Sequence, residues 1–343
     1  MRILSTIGTG LACILLNIFV SCGPGAGDVD VSKVAVKLDY VDFYKDFSAI
    51  DSNAVPEGLQ QLQQKYPTFL PFYLDTLLPF GHIEQPYTNA EHIVPVRTVF
   101  VHPDFKALND TVNKVFTDTR KYNEAILDAF KHIKYYLPNV PLPTKVYYFT
   151  SCLNKWTSFT HNDQLGIGLD MFLGKSFLPY QAIGIPDYAL INHTPENIPM
   201  WAAKAVYNSV YEHDNFNKSL LDLMLLNGKE VYYLHKVLPQ MPLNLILGYT
   251  PEQMKWCEAN EPLIYNFFLK DNLLYSKNYQ QIMRYATPAP NSAGFPAEAP
   301  GNVSAFIGYR IVEAYAQKSG KDLQQILNEQ DNTATFQASK YKP

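Results

Sequence analysis

Charge is scarce in this chain. Asp, Glu, Lys and Arg make up 17% of its 343 residues, and 28 basic against 32 acidic side chains leave a formal net charge of -4. No basic block stands out, which argues against nucleic-acid binding and against electrostatic docking on a membrane surface. Cysteine is scarcer still, with four in all. Of the eight histidines, no two stand three or four residues apart. A zinc-protease helix needs two imidazoles at i and i+4 aimed at one ion, with a glutamate beside the first, and that pattern is missing. A G-x-S-x-G nucleophile elbow is missing too. Gly168 to Gly174-Lys175-Ser176 has five residues between its glycines, one more than a phosphate loop allows, and the extra residue would misalign the cradling amides. No cofactor or metal is expected. The longest apolar run, Ile3 to Val20, is broken by Thr6, Thr9 and Asn17, whereas a spanning helix needs roughly 20 continuous apolar residues.

That run, preceded by Met1-Arg2, has the form of a secretory signal. It ends in Phe19-Val20-Ser21-Cys22-Gly23, which resembles the lipobox of bacterial lipoproteins. The resemblance implies a signal at residues 1–21, cleavage before Cys22, and acyl chains on the thiol and new amine of Cys22. Each buried methylene adds about 0.8 kcal/mol of membrane affinity, so several chains make a stable anchor. Residues 22–30, rich in glycine and aspartate, read as a short tether. Residues 31–343 show no repeat and no composition break, and read as one domain. Hydrophobic residues are 47% of the chain, enough for a sizeable core. Cys13 leaves with the signal. Cys152 and Cys257 remain, either bridged in an oxidising periplasm or standing as two separate buried thiols.

The pattern predicts an α+β fold dominated by helix, with a small sheet. Val34, Val36 and Leu38 alternate with polar residues and predict a strand. Val94 to Val101 reads as a strand, placed at an edge by Pro95. Val146 to Thr150 and Gln164 to Asp170 read as two more. Helix is expected from Pro56, and over Asp104 to Tyr136 with a break near Thr117 to Arg120. It is expected again from Thr194-Pro195 to Tyr211. Leu220 to Leu226 and Val231 to Val237 read as two helices separated at Gly228. Thr250-Pro251-Glu252-Gln253 has capping-box form, and helix is expected onward to Leu274. Ala286 to Asn302 is a proline-, alanine- and glycine-rich loop, followed by helices at Val303 to Gln317 and Asp322 to Leu327.

Two local constellations could carry chemistry. Glu258 and Glu261 stand i, i+3; paired carboxylates can divide acid and base roles when their environments split their pKa values. Arg310 and Glu313 are also i, i+3 and can pair, for a few tenths of a kcal/mol. On Glu258, Glu261 and Arg310 rests the alternative of a peptidase-like hydrolase with a non-standard site. Aromatics are 14% of the chain, with 24 Tyr. They can build the core, their hydroxyls satisfied there, or line a groove that binds cell-wall glycan.

The C-terminal half carries an ordered set of motifs: Trp256-Cys257-Glu258-Ala259-Asn260-Glu261, Leu273-Leu274-Tyr275-Ser276, Ala289-Pro290, Pro300-Gly301, Ile307-Gly308-Tyr309-Arg310-Ile311-Val312-Glu313-Ala314-Tyr315 and Ser339-Lys340-Tyr341-Lys342-Pro343. With Tyr66-Pro67-Thr68-Phe69 and Tyr135-Tyr136-Leu137-Pro138, the set resembles the gliding-motility lipoprotein GldB family of the Bacteroidetes over essentially the whole mature chain. Asn302 departs from the basic residue that often follows Pro-Gly. The resemblance implies a lipid-anchored, periplasm-facing, non-enzymatic accessory protein of the outer membrane. Its expected partners are the membrane and envelope proteins of the gliding apparatus, which is coupled to type IX secretion. A more distant similarity to predicted zinc peptidases implies a degenerate zincin-like scaffold, since Pro199 to Tyr207 offers no histidine where those carry His-Glu-x-x-His. The candidate functional surface is therefore Glu258, Glu261, Arg310 and Glu313.

Overall fold

Strand Lys145–Phe149 (β2) organises the first half of the domain, because it buries both faces. Asp39–Val41 (β1) lies parallel to it, pairing Asp39 with Lys145 and Val41 with Tyr147. Gln164–Gly168 (β4) lies parallel on its other side, and Ser158–His161 (β3) pairs antiparallel with β4, giving the order β1-β2-β4-β3. Side chains alternate across a strand. Val146 and Tyr148 enter one core with β4, while Tyr147 and Phe149 enter another. A sheet covered on both faces is the usual home of parallel strands. The computed structural model describes residues 29–211 and 216–343. Val31–Pro343 forms one unit, and no helix among the described residues is long and apolar enough to cross a membrane.

The core on the Tyr147 face is aromatic. Helices Phe43–Ser48 (α1) and Val55–Lys65 (α2), and the apolar run Phe69–Phe72 continued by a π-helical turn at Tyr73–Leu77, pack there. Phe69 stacks on Tyr147 with ring centroids 4.0 Å apart, and Phe43 meets Phe69 edge-on at 4.9 Å, both favourable ring geometries. On the Val146 face pack Pro103–Val115 (α4) and Arg120–Tyr136 (α5), which follow Val94–Phe100 (α3), and then Ile198–Val210 (α6). A third core belongs to the C-terminal half: Leu220–Val237 (α7), Pro251–Ala259 (α8), Glu261–Leu269 (α9), Tyr279–Ala286 (α10) and Val303–Ser319 (α11). Leu323–Asn328 (α12) and Asn332–Ser339 (α13) close the chain. Helix α7 joins two cores, with Leu220 to Leu225 in the C-terminal one and Val231 to Val237 in the one against the sheet.

The architecture is α+β and helix-dominated, as the pattern predicts, with four corrections. Val94–Phe100 is helix, not edge strand. Pro95 sits in its first turn, where a missing N–H costs nothing, and burial of Val96 outweighs the strand preference of valine. The first strand lies at Asp39–Val41 rather than Val34 to Leu38. Its partner begins at Lys145, after Pro141 and Pro143, so no ladder faces the earlier residues. Strand β3 was not expected; Asn162, in the left-handed region at φ 54, closes its two-residue hairpin into β4, a turn chemistry that Asn-Asp supports. Helix α7 runs unbroken through Gly228. A Cβ there would lie 2.3 Å from the Gly308 carbonyl carbon, and one on Gly308 would lie 1.8 Å from the Met224 carbonyl oxygen. The glycine marks a helix crossing, not a helix end.

Lys229, on α7, is 2% exposed and donates to the Glu329 carbonyl at 2.5 Å and to Asn332 Oδ1 at 3.5 Å. It thereby ties α7 to the segment joining α12 and α13. Burial lowers its pKa from the ordinary 10.5 to about 8. Between those values the unfolded chain binds more protons than the folded one, so this group makes stability rise with pH. Urea denaturation at pH 8 and pH 10 is expected to show the wild type gaining about 2 kcal/mol on Lys229→Met over that interval. The comparison is made between the two proteins because buried tyrosines, whose pKa values are raised, pull wild type and variant alike the other way as pH passes 10. Parallel pH curves would show that the amine is not titrating in this window.

Candidate functional site

The predicted surface residues divide into a connected set and an outlier. Glu258 and Glu261 do not share a helix. Pro262 lacks the N–H that would reach the Glu258 carbonyl, and its ring would clash there. Helix α8 therefore stops at Ala259 and α9 begins at Glu261. Glu258 is exposed. Glu261 turns inward, its side chain 12% exposed, and its Oε1 accepts from Arg310 Nε at 3.0 Å and from the Tyr341 hydroxyl at 2.6 Å. Arg310 reaches the other way through Nη1 to Glu313 Oε2 at 2.8 Å, the i, i+3 pair expected from the sequence. Glu313 Oε1 accepts from the Tyr309 hydroxyl at 2.7 Å, and that hydroxyl lies 2.8 Å from His235 Nδ1.

The result is a continuous polar chain, His235–Tyr309–Glu313–Arg310–Glu261–Tyr341, running from α7 across α11 to α9 and the C-terminal tail. Burial opposes the Arg310 charge, but Glu261 and then Glu313 outweigh it and hold the guanidinium charged. Burial, reinforced by the hydrogen bonds to Glu313 and Glu261, raises the pKa of Tyr309 and Tyr341, so both phenols stay donors. Each carboxylate bonds a guanidinium and a phenol, Glu313 through both oxygens and Glu261 through Oε1 alone. Such a network holds elements together.

A second buried carboxylate was not foreseen. Asp170 is fully buried just beyond the carboxyl end of β4. It accepts from Ser151 N–H at 2.9 Å, Ser151 Oγ at 3.0 Å and Leu153 N–H at 2.7 Å. These bonds hold the loop after β2, where Cys152 and Leu153 both have left-handed backbone, φ 54 and 60. Burial raises the Asp170 pKa against the pull of these donors. Burial, then the nearby Asp170 charge, pushes the Cys152 thiol up to about 12, far from an activated thiolate. Cys152 and Cys257 are free thiols that pack in separate cores, so the structure places them apart rather than bridged. Among the described residues no three His, Cys, Asp or Glu stand together as a metal site. Cys22 and the signal at 1–21 lie outside the described residues.

The remaining motifs meet elsewhere. A Cβ on Gly301 would sit 2.1 Å from the Ala289 carbonyl oxygen, so Pro300-Gly301 closes directly on Ala289-Pro290. The two segments line a cleft of about 350 Å³ shared with Asn192, His193 and Trp201. No curated protein and no solved structure matches the chain significantly. The family described as gliding motility protein GldB matches residues 25–343, which takes in the sheet, the Gly228–Gly308 crossing, the Arg310 network and the cleft. On a match of that extent, the chain belongs to the GldB family of gliding-motility lipoproteins.

Proposed function

We propose that the chain is a lipid-anchored, non-enzymatic scaffold of the gliding-motility and type IX secretion-associated apparatus, held at the outer membrane through acylated Cys22 with its domain facing the periplasm. One observation carries this reading: the motif residues that make the family recognisable are engaged with one another. Gly308 admits α7, Arg310 joins Glu261 to Glu313, and Tyr341 fastens the tail to Glu261. These residues make a rigid body. A rigid body on a lipid tether acts by confinement, which raises its effective concentration near partners in the same membrane. The peptidase-like alternative gains no support from this geometry, since Glu261 is occupied and Glu258 stands apart on the surface.

The anchor is tested by growing cells with labelled palmitate. Wild-type protein is expected to carry label and to sediment with membranes. Cys22→Ser is expected to lose the label and leave the membrane fraction. Label that persists in Cys22→Ser would place the acyl chains elsewhere, and an unlabelled wild type would remove the anchor from the account.

A further inference from the structure

The cleft behind Pro300-Gly301 plays no part in tethering, yet it is built like a ligand site. Its volume of about 350 Å³ falls in the roughly 300–1,000 Å³ range of small-molecule pockets. Asn192 lines it with a carboxamide oxygen that is buried and has no hydrogen-bond partner. That oxygen has almost no accessible surface, so it is part of the cleft wall rather than a contact for what fills it. Beside it His193 is buried, its Nδ1 2.8 Å from the Met171 carbonyl oxygen. That contact fixes the proton on Nδ1 and leaves Nε2 an acceptor; burial lowers the ring's pKa and keeps it neutral. Trp201 Nε1 donates to the Asn192 carbonyl at 3.2 Å, which sets the indole against the same wall.

The lining selects the ligand class. Its charged residues, Lys175 and Asp187, are opposite in sign and both exposed, so they leave no net charge to attract an ion. The acceptor that the lining leaves free, His193 Nε2, is neutral and stands beside the Tyr180 ring. Most of the large tyrosines are in the cores, as with Tyr73, Tyr148 and Tyr233. Tyr188 is different: it is 36% exposed, lines the cleft, and its hydroxyl reaches the Pro288 carbonyl at 3.3 Å. A ligand that matches is uncharged, rich in hydroxyl donors, and offers C–H faces to an aromatic ring.

We infer that this cleft binds a neutral saccharide, with His193 Nε2 accepting from a hydroxyl and Tyr188 contacting a sugar face. The inference does not rest on the tethering role and stands or falls separately. The test uses the full chain in a non-glycosidic detergent, titrated calorimetrically with cellotetraose, maltotetraose and tetra-N-acetylchitotetraose. At least one is expected to bind saturably, with affinity at least tenfold weaker in His193→Ala and in Tyr188→Ala. Tyr188 is at the surface, where truncation leaves no cavity; circular dichroism checks that each variant is folded. Glu258→Gln, remote from the cleft lining, should bind as wild type does. Failure of all three sugars, unchanged affinity in both truncations, or binding of tetra-alanine in place of any sugar would each overturn the proposal.

Discussion

Gly308→Ala is expected to unfold this protein or to strip several kcal/mol from its stability, although alanine favours helix over glycine by up to about 1 kcal/mol. The added methyl has nowhere to go. Its carbon would stand 1.8 Å from the Met224 carbonyl oxygen and 2.7 Å from its carbonyl carbon. Those atoms belong to the backbone of α7, which is pinned in two cores and cannot yield at one residue. Overpacking in an adaptable core costs about 1–3 kcal/mol; a clash between two helix backbones should exceed that. Helices α7 and α11 would have to separate, drawing Tyr309 from His235 and exposing the apolar faces they share. Denaturation monitored by circular dichroism gives the answer. A variant as stable as the wild type, or more so, would mean that helix propensity governs this position and that the crossing is not close.

Asp170→Ala should be the most damaging polar substitution, at about 4 kcal/mol. Two backbone N–H groups and one hydroxyl would lose a shared acceptor, the two Ser151 bonds buried and the Leu153 bond partly so, and each orphaned buried group costs about 1–3 kcal/mol. The left-handed backbone at Cys152 and Leu153 adds its own strain of about 1–2 kcal/mol per residue, which the aspartate at present restrains. The loop should loosen before the domain unfolds. Faster reaction of Cys152 with a thiol reagent under native conditions is therefore expected alongside the stability loss. A change below about 1 kcal/mol with unaltered thiol reactivity would show that the loop holds its shape without the carboxylate.

Much of this fold is legible where the determinants are local. The break between α4 and α5, the Thr250–Gln253 capping box and the Asp322 start of α12 are written in adjacent residues, and the structure places them there. The misreadings arise where a distant partner decides. Val94 to Phe100 has the residues of a strand but no neighbouring strand to pair with, and Pro95 fits a first helical turn. Gly228 looks like a break until Gly308, from a helix far along the chain, comes against it. The site divides the same way. Arg310 and Glu313 are one turn apart and their pairing is readable. The bonds Arg310–Glu261, Tyr341–Glu261 and Tyr309–His235 span separations of 49, 80 and 74 residues, which no local spacing encodes. Asp170 follows a strand whose glycines already hint at close backbone approach, but its partners sit on the next strand's loop.

The body is stiffened by a glycine-mediated crossing and a continuous polar chain, and the proposed role is that a lipid presents it to partners. Crosslinking in intact cells tests it most directly: a membrane-permeant crosslinker, recovery of the full-length protein, and mass spectrometry of what is attached, with Cys22→Ser as the reference. The same small set of envelope proteins is expected in every replicate, depleted when the anchor residue is replaced. A wild type that captures no envelope protein reproducibly, or captures the same set without its anchor, would contradict it.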